Sequence, residues 1–197
     1  MFIETLILTS ALSAAPQTPP RPAESAPATG QTPATGASDK AHGQHGALAA
    51  NDAAFMKKAA DGGLAEVAHA KLAQEKASSA EVKAYAAKLE KDHTQANTEL
   101  KQVATQKNVT LPDQPSKMHQ AMHDKLAKLS GAEFDKAYVA AMLEDHQKDV
   151  KEFSRAAASS ADADVKAFAA KTLPTLKDHL QQVQQLAKTV GTKKTTS

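Results

Sequence analysis

The chain has 197 residues, 41% hydrophobic and only 4% aromatic, with 24 basic and 22 acidic side chains giving a formal charge of +2. This length and an alanine-rich composition predict one helical domain with one core, and the interleaved charges leave no basic stripe, so nucleic acid is not an expected partner. The lack of cysteine excludes disulfides, iron–sulfur clusters, thiolate zinc sites, cysteine-attached haem and a lipobox anchor, which leaves imidazole and carboxylate for any metal chemistry.

Residues 2–15 are a short apolar run ending in small residues at Ala11, Ser13, Ala14 and Ala15. That is the pattern of a cleaved secretory signal, too short to span a bilayer. Residues 1–15 are read as a signal peptide, although Glu4 stands where a basic residue is usual. The expected location is periplasmic or secreted, with no transmembrane anchor after signal removal and an envelope component as the partner that location would offer. Residues 16–50 are mostly Pro, Ala, Thr, Ser, Gly and Gln, a composition that cannot bury enough apolar area to offset chain entropy, and are read as a disordered linker.

A domain over 51–190 follows, with a tail at 191–197. Asn51 or Asp52 is the expected cap of a first helix reaching about Ala77. Ser78 and Ser79 break it, Ser79 caps a second helix over 80–107, and Asn108 ends that helix. Pro112 and Pro115 interrupt the next stretch, which carries a short amphipathic helix over 116–129 closed by Gly131. A third long helix runs over 132–159. Asp162 or a neighbour caps a fourth, which reaches about Val190 with a local kink at Pro174. Two short turns and one long crossover predict an all-α, antiparallel four-helix bundle of the ferritin-like arrangement.

On the second helix Val82, Tyr85, Leu89, Ala96, Leu100 and Val103 share a face, and His93 lies within about 25° of its centre at 100° per residue. On the third, Tyr138, Met142, Val150, Phe153 and Ala157 form the stripe, with His146 within about 15° of its middle. His179 flanks the stripe of the fourth, and Glu66 lies about 20° from Phe55 on the first. All four are near mid-helix, and antiparallel helices of similar length bring their midpoints together. Asp92, Asp145 and Asp178 each precede one of these histidines and are expected at the rim. Two readings stay open: a polar layer fixing register through hydrogen bonds to Glu66, Tyr85 or Tyr138, and a metal site built from facing helices.

Several residues in order also resemble a known bacterial family. They are Asn51, Asp52 and Phe55, Glu66 after Gly62 and Gly63, Asp92 with His93 and Thr94, Leu129 to Gly131, Phe134 to Tyr138, Asp145 with His146, and Leu173 and Pro174 ahead of His179. Together they resemble the domain of unknown function 4142 family over about residues 51–190. The resemblance implies a ferritin-like helical fold and an exported or envelope location, and by analogy a role in envelope stress, but no activity. A ferritin-type di-iron centre needs a Glu from each of two helices and Glu-x-x-His from each of the others. Glu66 fits the first and Glu90 with His93 the second. Leu176 stands where the fourth helix needs Glu, and the third offers only His146 and Asp149. The expected ligands are therefore Glu66, His93, His146 and His179, with Glu90 and Asp149 secondary. Three imidazoles and a carboxylate suit zinc, copper or nickel better than di-iron.

Weaker signals are His119 and His123, one helical turn apart but with Gln120 where a metalloprotease needs Glu. They are read as surface histidines, and Met118 and Met122 as packing residues. His42 and His45 lie in the linker. No nucleophile triad or phosphate loop stands out, so no catalytic residue and no enzymatic activity is assigned.

Overall fold

The computed structural model describes residues 48–192. The expected signal peptide, nearly all of the linker with His42 and His45, and the end of the tail lie outside the described residues. Five helices and no named strand make up what is described: α1 (Ala50–Lys76), α2 (Ala80–Gln106), α3 (Lys117–Ala127), α4 (Gly131–Ser159) and α5 (Ala163–Thr192). None is long and apolar enough to cross a membrane.

Helix ends follow the local chemistry. Ser79 Oγ accepts from the Val82 amide at 3.4 Å, and Asp162 Oδ1 accepts from the amides of Asp164 and Val165 at 2.9 and 3.1 Å. Asn108 ends α2 at φ 55°, where a short polar side chain tolerates the left-handed region better than most. Gly131 is not the close of α3: it opens α4 at φ 60°. α5 continues on both sides of Pro174 and reaches Thr192, two residues past the expected end.

α1 packs mainly on α2 and α4 mainly on α5, and the two hairpins meet along α1–α4 and α2–α5. Within each pair the contacts run in opposite senses. Gln74 meets Glu90 and Glu66 meets His93; Phe153 meets Phe168 and His146 meets His179. Gly63 of α1 faces Asn97 of α2, whose side-chain amide a Cβ there would overlap. α3 covers α1, tied by Asp61, which accepts from the Ser116 amide at 2.6 Å.

Each hairpin turn is held by a buried aspartate of the other hairpin. Asp135 of α4 accepts from the Ser78 amide, the Ser79 amide and Ser78 Oγ at 3.0, 3.0 and 2.5 Å. Asp52 of α1 accepts from the Asp162 amide at 2.8 Å. Asp52 is therefore not the cap of its own helix: the N-cap position is Ala49, with no side-chain bond.

The apolar core lies in two clusters. One, near the α1–α2 turn, contains Leu89, Phe134, Tyr138, Met142 and Val183; the other, towards the α4–α5 turn, contains Phe55, Met56, Leu100, Phe153 and Leu176. Between them in sequence on each long helix stands one of Glu66, His93, His146 and His179, all buried.

Candidate metal centre

Each of the four long helices supplies one of these side chains, at the depth where the apolar stripe is interrupted. Burial is nearly complete, with His146 and His179 at 0% exposure, Glu66 at 3% and His93 at 6%. His179 is thus fully interior rather than on the flank. The rings are mutually in contact, with centroids 5.7 Å apart for His93–His146, 5.3 Å for His93–His179 and 5.3 Å for His146–His179. One nitrogen from each imidazole lies within 4.8 Å of one from both others.

The outward nitrogens are all anchored to acceptors. His93 Nδ1 is 2.9 Å from Glu66 Oε2, His146 Nδ1 is 3.0 Å from the Met142 carbonyl, and His179 Nε2 is 2.9 Å from Asp92 Oδ2. Carbonyl and carboxylate oxygens can only accept here, so each of these nitrogens carries the proton. The second nitrogen of each ring is then a lone pair. His146 Nε2 and His179 Nδ1 stand 3.3 Å apart, and His93 Nε2 is buried without a partner. Three lone pairs facing one another repel unless a proton or cation lies among them.

Electrostatics keep His146 and His179 in that state. Burial pushes the Glu66 carboxyl up, but the imidazoles of His93 and His146 outweigh it and bring the carboxyl down to about 2. Burial pulls His146 down, and pulls His179 to about 4 in spite of its bond to Asp92. Both rings are neutral at pH 7 and able to donate a lone pair. Burial also raises Asp92, but its bonds to Lys88, at 2.6 Å, and His179 bring it lower on balance. Glu66 Oε1 lies 3.3 Å from His146 Nδ1, yet is not aligned for a hydrogen bond, because that N–H is directed at Met142.

Of the residues singled out in the sequence, Glu66, His93, His146 and His179 come together. Glu66 stands behind His93 as its acceptor, while the three imidazoles face each other. Glu90 is elsewhere, bonded to Gln74 at 2.7 Å and near Lys71 at 3.8 Å. Asp149 borders a void of about 20 Å³ together with Glu66, His93 and Asn97. Burial, then the charge of Glu66, raises its carboxyl well above the ordinary value. Neither tyrosine bonds an imidazole: Tyr85 donates to the His179 backbone carbonyl at 3.4 Å, and the buried Tyr138 hydroxyl has no partner among the described residues.

Asp92 was legible only as a rim residue. Its carboxylate does lie at the rim, but from α2 it reaches across to the histidine of α5 rather than to its own neighbour His93. The repeated Asp-His pair was the signal that could have found it.

The protein is an all-helical bundle with a buried histidine–carboxylate layer across its core. It belongs to the family described as domain of unknown function (DUF4142), whose sequence model matches residues 37–186. No curated protein matches the chain in sequence. Among solved structures it is similar to a DUF305 fragment from Deinococcus radiodurans, with a TM-score of 0.64 at 11% identity, covering 72% of this chain and 98% of that one. It is also similar to CopM in the Cu(II)-bound form, with a TM-score of 0.60 at 19% identity, covering 70% and 96%. At these identities the likeness concerns the fold.

Proposed function

We propose that this protein is an exported, ferritin-like antiparallel four-helix bundle that binds one transition-metal ion through His93, His146 and His179. The observation that carries the reading is the convergence of three imidazole lone pairs whose opposite N–H groups are all committed to oxygen acceptors. Such outer partners fix tautomer and ring orientation in metal sites. The 3.3 Å between His146 Nε2 and His179 Nδ1 agrees with the ~3.3–3.4 Å expected of two nitrogens bound tetrahedrally at zinc–nitrogen distances. Glu66 supplies negative charge beside the ion, and Asp92 does so at the rim.

Imidazole-rich sites with a single nearby carboxylate suit zinc, copper or nickel; di-iron chemistry needs more carboxylates than this layer has. The copper carried by the structurally similar CopM supports copper among these. Export and a role in the envelope rest on the N-terminal pattern of the sequence and on family analogy. The reading assigns binding and no catalytic step.

A competing reading, a packing module whose histidines only fix register, draws on the same hydrogen bonds to Glu66, Met142 and Asp92. Metal analysis of protein purified without a histidine tag separates them. Binding predicts about one equivalent of zinc, copper or nickel, or a raised unfolding temperature when zinc or copper is added. It also predicts that His93→Gln/His146→Gln loses the equivalent, and the share of the thermal response, that the triad contributes. A metal-free protein that shows no thermal shift would leave only the packing role.

A further inference from the structure

A second group of histidines lies on the outer side of α1. His69, one turn beyond Glu66, is 1% exposed, and its Nε2 is 3.4 Å from the backbone carbonyl of His119 on α3. That acceptor takes the Nε2 proton, so Nδ1 is a lone pair, buried and without a partner. His119 Nδ1 lies 3.2 Å from Asp61 Oδ2 and 3.3 Å from Ser116 Oγ. The carboxylate directs the proton to Nδ1 and leaves Nε2 as a lone pair. His123, one turn further along α3, stacks on His69 with centroids 5.9 Å apart and an interplanar angle of 21°. All three border an open cavity of about 270 Å³.

The anchoring pattern is that of the core triad: one nitrogen of His69 and of His119 is held by an oxygen, and the other is free. The differences are access and preorganisation. The side chains of His119 and His123 are 18% and 39% exposed, and His123 Nδ1 has only a loose contact with Asp124 at 4.0 Å. Leaving the His69 Nδ1 buried and unpartnered is unfavourable, a cost that a bound cation relieves. Two histidines at i and i+4 on one helix face are a geometry able to share an ion.

We propose that His69, His119 and His123 form a second, solvent-reached site between α1 and α3 for a divalent transition-metal ion of the imidazole-binding type, Zn(II) or Cu(II). It shares no ligand with the core triad and stands whether or not the triad is occupied. Its donors have to close on the ion, so it binds more weakly than a preorganised site and exchanges faster.

The test is calorimetric titration of the untagged full chain with zinc, in a His42→Gln/His45→Gln background so that those two histidines do not contribute. His119→Gln/His123→Gln keeps the His119 carbonyl that bonds His69, and its fold is checked by circular dichroism. The parent is expected to bind one more zinc ion than this variant. If the core triad also binds, the parent takes up two ions and His93→Gln/His146→Gln retains one. If the triad does not bind, the parent takes up one, and it is the one lost with His119 and His123. An unchanged count in His119→Gln/His123→Gln overturns the proposal. So does a failure of substoichiometric Cu(II) to broaden the ring resonances of His69 and His123 in the His93→Gln/His146→Gln protein.

Discussion

His93 can present only one nitrogen to the interior, and Glu66 decides which. The carboxylate takes the Nδ1 proton at 2.9 Å, so Nε2 faces the other rings with its lone pair. Glu66→Gln keeps the shape and an acceptor oxygen but removes the charge that orients His93 and offsets an incoming cation. Zinc affinity, measured by competition with a chelating dye, is expected to fall about 10–100-fold, as for loss of an outer partner of a ligating histidine, with helix content unchanged. An affinity equal to wild type would show that Glu66 serves packing alone. At this scale the sequence was informative where periodicity decides burial, as at His93 and His146. It was less so for His179, read as a flank position because a few degrees of helix rotation move such a residue from edge to interior. Asp92 was hardest, since a bond from α2 to α5 depends on which helices become neighbours. Met118 was read as a packing residue but is 71% exposed; Met122, one turn on, does pack against the core.

The helices themselves were legible because their ends are written locally. Ser78 and Ser79, the prolines at 112 and 115, and Asp162 mark the breaks, and the ends agree with expectation to within three residues, the start of α1 being the farthest off. What joins the hairpins was not legible, because nothing local distinguishes a capping aspartate from one that reaches another turn. Asp135 gathers three donors onto two oxygens, and Asp52 one. In Asp135→Asn the amide group sets a donor against the donors of Ser78 and Ser79. A loss of about 2–3 kcal/mol in unfolding free energy is expected, the scale of a hydrogen bond to a buried charged group. Asp52→Asn keeps an oxygen for its single amide and should cost about 1 kcal/mol or less. Urea denaturation of the two variants and the double variant checks this. The sites lie at different hairpin turns and share no partner, so the costs should add to within about 0.5 kcal/mol. A Asp135→Asn protein as stable as wild type would remove the clamp from the account of the fold.

Across the whole molecule, the layer divides what would otherwise be one continuous apolar core. Four buried polar side chains are costly to desolvate, and paired polar groups in a core are often no more stabilising than apolar side chains of similar volume. If the layer exists to hold an ion, its cost in the metal-free protein is offset only on binding, by about 2.7 kcal/mol at a free metal concentration of 100 times the dissociation constant. Replacing the layer in Glu66→Met/His93→Leu/His146→Leu/His179→Leu should then yield a metal-free protein as stable as wild type or up to about 4 kcal/mol more so. In a His119→Gln/His123→Gln background its thermal midpoint should be insensitive to zinc at concentrations that raise the midpoint of the protein with the layer intact. If the layer instead fixes register, the apolar variant should lose cooperative unfolding and sharp side-chain resonances, because two uniform apolar halves can slide past each other where four distinct polar groups cannot. Calorimetry of the two proteins with and without zinc therefore separates a binding site from a packing device, because only the site makes stability depend on the ion.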